Sequence, residues 1–418
     1  MTYRDVASRK VLIWACTAVG ARMPVAMAPL ALVFLVRERA GGYSLGAMIA
    51  AVYVVAEIVG APVLGMRLRP ARARVQLTVG LVAGAAGFAG LGTFPDTQPA
   101  VLAVFAFVAG AAPAAATGAL RTLLTTMVPE RAVAQALSVE TMVTAAVWAV
   151  SPAAVAGLAL GVAPGAPLRL AAALMAASPA GLWLLPSARA ADERADLPLS
   201  RVLAGAWPVY VTGAASLTLL GLSELVLPAL LEQRGIGVGW SGPLLTGMAV
   251  GGGLGAFLHG LRAWPGRLRT HSVVLMAGTA GCVTLAALIP RTAGIALALV
   301  AGGMLQSAAM LTRNLSLREA LPPRAHAAGY SVMYAAAGAG YAATGSLAGA
   351  LLRVVAPSTA VLAGVGVTLL LSAIGWWGEV TWAGRSARGA DLTAAPGFAG
   401  AGAEGTAIGG RGDAECRL

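Results

Sequence analysis

At 418 residues the chain could hold two or three soluble domains, but 58% apolar residues, 11% charged residues and a mean hydropathy of +0.79 exclude that class. Such a chain could not cover its own surface in water, and the composition is that of a membrane protein. The net charge of +12 does not mark a nucleic-acid binder, because the basic residues sit in short clusters between apolar stretches and form no basic domain.

Polar Met1–Lys10 leads into the first of about twelve apolar runs, each long enough to cross roughly 30 Å of hydrocarbon. The first run is too long for a signal h-region and no cleavage site follows it, so it is expected to be retained. The predicted spans are 11–36, 44–66, 75–94, 99–121, 136–161, 167–186, 206–231, 240–262, 272–290, 294–313, 327–352 and 358–382. Odd-numbered gaps between them hold only Arg37, Arg39, Arg169, Arg234, Arg291 and Arg353, whereas the even-numbered gaps and both tails hold about 22 of the 29 Lys and Arg. Positive residues stay on the cytoplasmic side, so both termini are expected there, in a multi-pass protein of the cell membrane. Anionic lipid headgroups are the expected neighbours of the loop arginines.

The most polar internal stretch, Ser187–Arg201, divides the spans into two sets of six. The expected architecture is an all-α membrane protein of twelve transmembrane helices in two pseudo-symmetric halves, as in parallel-repeat transporters. Its parts are an N-terminal half (1–186), a cytoplasmic linker (187–205), a C-terminal half (206–382) and a Gly/Ala-rich tail (383–418) expected to be disordered. Arg411-Gly412-Asp413 in that tail is a chance adhesion-like tripeptide. Four-residue spacings of small residues, Gly80/Gly84, Gly251/Gly255 and Gly345/Gly349, predict close helix packing. Pro24, Pro29, Pro62, Pro113, Pro152 and Pro228 interrupt spans, which buried helices tolerate where neighbours re-satisfy the freed carbonyls.

Ionisable side chains within spans carry the functional signal, since each costs several kcal/mol unless paired or wet. Arg22 lies near the midpoint of span one, too deep to snorkel, so it faces the bundle interior, as a cavity residue or in a structural pair. Glu57 lies midway through span two, Glu140 in the inner part of span five and Glu224 in the outer half of span seven. Arg121 marks the cytoplasmic end of span four. Spans four and five are antiparallel, so Arg121 and Glu140 form a candidate ion pair, either permanent or broken and remade during a transport cycle. Glu57 and Glu224 have no partner evident in the sequence, which suits binding of a proton or cation. Glu379, among Trp376, Trp377 and Trp382, reads as interfacial, and Trp148 as the one tryptophan deep in a span. Tyr53, Gln306, Asn314 and Tyr334 can supply polar contacts in a cavity or between helices.

Other chemistries find no support. His259, His271 and His326 lack metal-ligand spacing, and no metal or other cofactor is expected. Cys16, Cys282 and Cys416 form neither a disulfide framework nor a CxxC site. No Walker A sequence is present, so an ion gradient must supply any transport energy, at roughly 2.3 kcal/mol per charge per 100 mV and about 1.4 kcal/mol per pH unit.

Over residues 11–382 the chain resembles the major facilitator superfamily. After span two, Gly65-Met66-Arg67-Leu68-Arg69-Pro70-Ala71-Arg72-Ala73-Arg74 is similar to the family's Gly-x-Leu-x-Asp-Arg-x-Gly-Arg-Arg loop, with Arg69 in place of the acid and Arg72 in place of the inner glycine. Gly260-Leu261-Arg262-Ala263-Trp264-Pro265-Gly266-Arg267 is its counterpart after span eight. Gly110-Ala111-Ala112-Pro113 with Arg121 resembles the arginine-bearing motif of span four that is tied to proton coupling. Ser151-Pro152-Ala153-Ala154-Val155-Ala156-Gly157 resembles the span-five antiporter motif, with Ser for its first Gly. Together with Arg22-Met23-Pro24, Ala61-Pro62, Glu140 and Glu224, these features look like an actinobacterial subgroup of drug or metabolite exporters.

The resemblance implies a secondary transporter, not an enzyme, working by alternating access as a monomer. Its expected partners are a small organic substrate, protons and membrane lipids, with no nucleic acid. Proton-coupled export is the first expectation, with Arg22, Glu57, Arg121, Glu140 and Glu224 as coupling candidates and Gly65, Arg67, Arg69 and Arg74 as a cytoplasmic gate loop. Uptake by proton symport is the alternative, although the Ala/Val/Gly-rich spans offer few of the polar side chains a nutrient carrier needs. A membrane sensor or enzyme is disfavoured, because no soluble domain and no interfacial cluster of His or carboxylates appears.

Overall fold

The computed structural model describes residues 6–39, 42–186, 198–262, 264 and 266–394, and every regular element among them is helical. The first half comprises α1 (Arg9–Val36), α2 (Gly42–Arg67), α3 (Ala73–Thr93), α4 (Pro99–Ala111), α5 (Ala116–Met127), α6 (Val133–Gly161) and α7 (Ala166–Leu184). A short α8 (Leu199–Gly205) leads into α9 (Trp207–Gln233), α10 (Ser241–Leu261), α11 (Leu268–Leu288), α12 (Thr292–Ala320), α13 (His326–Leu351) and α14 (Pro357–Ala394). Met1–Glu379 forms one compact unit and Val380–Leu418 a second. Residues 187–197 of the expected linker and 395–418 of the expected tail, with the Arg-Gly-Asp tripeptide, lie outside the described residues. The backbone of α14 is helical through Ala394, beyond the expected end of the last span at 382.

Ser8 starts α1 by accepting the Val11 amide at 3.3 Å, satisfying one of the free donors at the helix end. The fourth span is broken. Pro113 has no N–H to donate, and the backbone turns over 112–115, so α4 and α5 are separate helices. Among the described residues, eleven segments are long and apolar enough to cross a membrane, with α4 and α5 counted together. The one expected span outside this set, the eleventh (327–352), is α13, which is long enough but rich in Gly, Ala and Tyr. It packs against α9, α2 and α5, so it needs no fully apolar surface.

Each half repeats one packing pattern. In the first, α2 and α3 pack on α4, and α1 packs on α6; in the second, α10 and α11 pack on α12, and α9 packs on α13. The halves meet through pairs that exchange under the same correspondence, α2 with α13 against α10 with α6, and α5 with α13 against α12 with α6. That reciprocity is what a two-fold axis between two repeats requires. The sequence carries its trace: Pro129-Glu130-Arg131-Ala132-Val133-Ala134 with Ser138-Val139 recurs 193 residues later as Pro322-Pro323-Arg324-Ala325-His326-Ala327 with Ser331-Val332. Both copies make a 3-10 turn, Glu130–Ala132 and Pro323–Ala325, before α6 and α13 begin.

Small residues bring the backbones together, replacing the hydrophobic drive that lipid removes. A methyl group at Gly251, Gly255 or Gly303 would overlap a carbonyl oxygen of the facing helix, which locks α10 onto α12. Gly84 is similarly close to Met175 and Pro113. Gly345 and Gly349 do not follow: the nearest atom to Gly345 is 3.9 Å away and Gly349 meets nothing within 4 Å. Trp148 is half exposed, whereas Trp14, not singled out in the sequence, is fully buried.

Candidate functional site

Arg22 of α1, Arg121 of α5 and Glu140 of α6 converge in the first half, with Asn314 of α12 reaching them from the second. Both guanidinium groups approach the same carboxylate oxygen, Oε1 of Glu140, at 2.7 Å. Arg22 also donates to the Thr144 hydroxyl at 2.8 Å, and that hydroxyl in turn donates to the Glu140 carbonyl at 2.9 Å. Glu140 and Thr144, one turn apart on α6, therefore present one polar edge to α1. The second Arg121 amino group donates to Asn314 Oδ1 at 3.0 Å, crossing between the halves. Glu140 is 1% exposed, and Arg22 and Arg121 are each 6% exposed. Two cations share one anion, so the cluster carries a net positive charge in a low-dielectric surrounding.

Aromatic rings hold the two arginines in place. Arg121 lies over the Tyr330 ring at 5.3 Å, and Arg22 lies over Trp14 at 5.9 Å. Trp14 Nε1 donates to the Leu120 carbonyl at 2.7 Å, tying α1 to the residue before Arg121. The helix α5 runs on to Met127, so Arg121 is buried nearly two turns inside and not at the end of its span.

Among the described residues the other carboxylates make no ion pair with this cluster, although Tyr334 lies within the field of Arg22 and Arg121. Glu57 accepts a hydrogen bond from the Tyr334 hydroxyl at 2.8 Å, and Glu224 accepts one from Tyr341 at 2.9 Å. Neither carboxylate has a cationic partner among the described residues. Glu379 is not merely interfacial: it pairs with Arg313, which is 1% exposed and also donates to Thr212 at 2.9 Å. Arg313 was hidden in the sequence because α12 continues to Ala320, carrying it deeper than a span ending at 313 implies. Gln306 ties α12 to α9 by donating to the Ser216 carbonyl at 2.7 Å and its hydroxyl at 2.8 Å. Tyr53 is fully buried against Phe88, and its hydroxyl has no partner among the described residues.

Of the expected gate loop, only Gly65 makes a close contact across the halves, where an added Cβ would lie 2.7 Å from Ser331. Arg67 and Arg69 are exposed, and Gln76 braces their turn by accepting the Arg69 amide at 2.8 Å. Arg74 donates to the Leu185 carbonyl and lies over Trp183, so it joins α3 to the end of α7 within one half. The closed seam is built instead from the internal repeat. Ser138 donates to the Ala256 carbonyl at 2.5 Å, Ser331 faces Gly65 and Gly118, and Arg318 pairs with Glu130 at 2.7 Å. These contacts lie at the face where α6 and α13 begin. Towards the far ends of the same helices, Gly157, Gly161 and Gly349 meet nothing within 4 Å. The 193-residue repeat was the sequence signal for this seam.

No protein-family model matches the sequence, and no curated protein matches it. Solved structures do. The human organic anion transporter MFSD10 superposes with a TM-score of 0.72 at 12% identity, over 88% of this chain and 99% of that one. The major facilitator superfamily transporter FucP in the outward conformation gives 0.69 at 14% identity, over 89% and 99%. A bacterial homologue of the iron transporter ferroportin in an outward-facing state gives 0.68 at 15% identity, over 89% and 98%. With its two six-helix repeats and its reciprocal interface, the chain has the fold of the major facilitator superfamily transporters.

Proposed function

We propose that this protein is a proton-coupled secondary transporter that exports a small organic compound, such as a drug or secondary metabolite, in exchange for protons. The observation that carries the reading is the buried Arg22–Glu140–Arg121 cluster, bonded through Asn314 to the opposite half. A permanent structural pair needs one arginine for one carboxylate. Here a second cation and a cross-half bond make the cluster sensitive to both protonation and the relative position of the halves. Protonating Glu140 would release both guanidiniums, and moving the halves would break the bond to Asn314.

The cross-half seam at the start of α6 and α13, on the side that the loop arginines mark as cytoplasmic, supports alternating access with that side closed in this form. The positive-inside distribution of arginine supports placing both termini in the cytoplasm and the protein in the cell membrane, functioning as a monomer among anionic lipids. Uptake by proton symport is the second reading, and the likeness to FucP, an E. coli fucose:proton symporter, favours it. A growth-inhibition screen of an overexpressing strain identifies a transported compound. In proteoliposomes the flux of that compound should then follow an imposed pH gradient, and flux indifferent to its collapse removes the coupling.

A further inference from the structure

Glu57 and Tyr334 belong to different halves, and their hydrogen bond is a polar contact between α2 and α13 about two turns above the closed seam. Among the described residues no element packed around Glu57 gives it a cationic partner, although Arg22 and Arg121 act on its hydrogen-bond partner Tyr334. On α1, Arg22 is engaged with Glu140 and Thr144. No ionisable residue occurs in α4, and Arg121 of α5 is engaged with Glu140 and Asn314. On α13, Tyr330 sits on Arg121 and Tyr341 is bonded to Glu224; on α2 itself, Tyr53 lies one turn away. The Tyr334 ring is packed with Ile58, Ala61, Ala114 and Ala335, an apolar cluster drawn from both halves.

From this arrangement we propose that Glu57 is a second carboxylate, beside Glu140, at which a coupling proton binds, and that Tyr334 is a positioning residue that converts its binding into loosening of the seam. The proposal rests on the proton-coupled reading above. A hydronium ion reaching the site gives its proton to a carboxylate oxygen of Glu57 and leaves as water. The Tyr334 hydroxyl then donates to a neutral acid instead of a carboxylate, and a bond to an ionised acceptor is roughly twice as strong as one between neutral groups. Apolar packing around the pair preserves that difference. Protonation therefore weakens a bond that holds α13 to α2, and the closed face can part. Glu224 and Tyr341 supply the comparison, because they form the same kind of bond within one half, where its strength does not bear on the seam.

The test measures distances between spin labels at the exposed positions Arg72 and Arg267, one in each half on the seam side, with the native cysteines replaced. In the wild-type background the long-distance population should rise about fivefold between pH 8 and pH 5, the change expected from weakening one charge-assisted bond. Glu57→Gln should show the raised population at every pH, and Tyr334→Phe should match it. Glu224→Gln should retain the wild-type pH response. A wild-type response in Glu57→Gln, or loss of the response in Glu224→Gln alone, overturns the assignment. Proteoliposome flux separates the two levels: pH-driven flux with an unaltered Glu57→Gln distance profile defeats this site alone, whereas wild-type flux indifferent to pH defeats the proton-coupled reading itself.

Discussion

Arg121 and Asn314 are separated by 193 residues in sequence and by 3.0 Å in space, and they occupy equivalent positions in the two copies of a repeated helix. One copy retains a charge and the other supplies a neutral acceptor, so the pair bridges the pseudo-axis without setting like charges against each other. Asn314→Leu removes an acceptor from a buried guanidinium, at a cost of about 1.5–3 kcal/mol to the closed form. The spin-label distance between positions 72 and 267 should then show the seam-open population raised by tenfold or more. An unchanged distribution would mean that this bond does not hold the halves.

Arg313 and Glu379 should behave as a permanent structural pair. Arg313→Met leaves the carboxylate uncompensated and should destabilise the protein by about 3–5 kcal/mol, whereas Arg313→Met with Glu379→Gln should restore most of that loss. Thermal unfolding in detergent checks both variants. Equal destabilisation of the single and double variants would contradict the pairing.

Arg318 and Glu130 provide the contrast, since their ion pair is exposed to solvent. Arg318→Ala should cost less than about 1 kcal/mol. Its unfolding midpoint should stay within a few degrees of the wild type, and a loss as large as that of Arg313→Met would show the pair to be shielded.

Gly65 is the close-approach point of α2 and α13. Gly65→Leu places a branched side chain where a single Cβ would already lie 2.7 Å from Ser331, so the seam cannot close. The variant should fold, since the contact lies between halves and not within one, but flux should fall by at least tenfold. The 72–267 distance should remain long at all pH values, and a short distance would refute the steric assignment.

The fold was legible because hydropathy and arginine alternation report on every span, and the helix that opens each of the twelve expected spans begins within about four residues of the expected start. The Arg121–Glu140 pair was also legible, since antiparallel neighbours joined by a short loop place both at one depth. The meetings of Arg22 with Glu140 and of Arg121 with Asn314 were not legible. They depend on how four helices are rotated about their axes, which a low-contrast Ala/Gly/Val surface does not reveal. The Trp neighbours of Glu379 suggest an interface, whereas its pairing with the buried Arg313 shows only in the true length of α12. Tyr330 and Tyr341 carry no sequence signal, because a lone tyrosine in a span has no distinguishing pattern. The α13 ladder that brings Tyr330, Tyr334 and Tyr341 to Arg121, Glu57 and Glu224 becomes visible only once the helices are in place.

The most direct test is uphill accumulation of an identified substrate in proteoliposomes under an imposed pH gradient, with the wild type and Glu140→Gln measured side by side. The wild type should accumulate the compound against its gradient and lose it when a protonophore is added. Glu140→Gln, in which two buried guanidiniums share no carboxylate, should lose that accumulation. Full accumulation by the variant, or accumulation by the wild type that survives the protonophore, would contradict the assignment of the cluster to proton coupling.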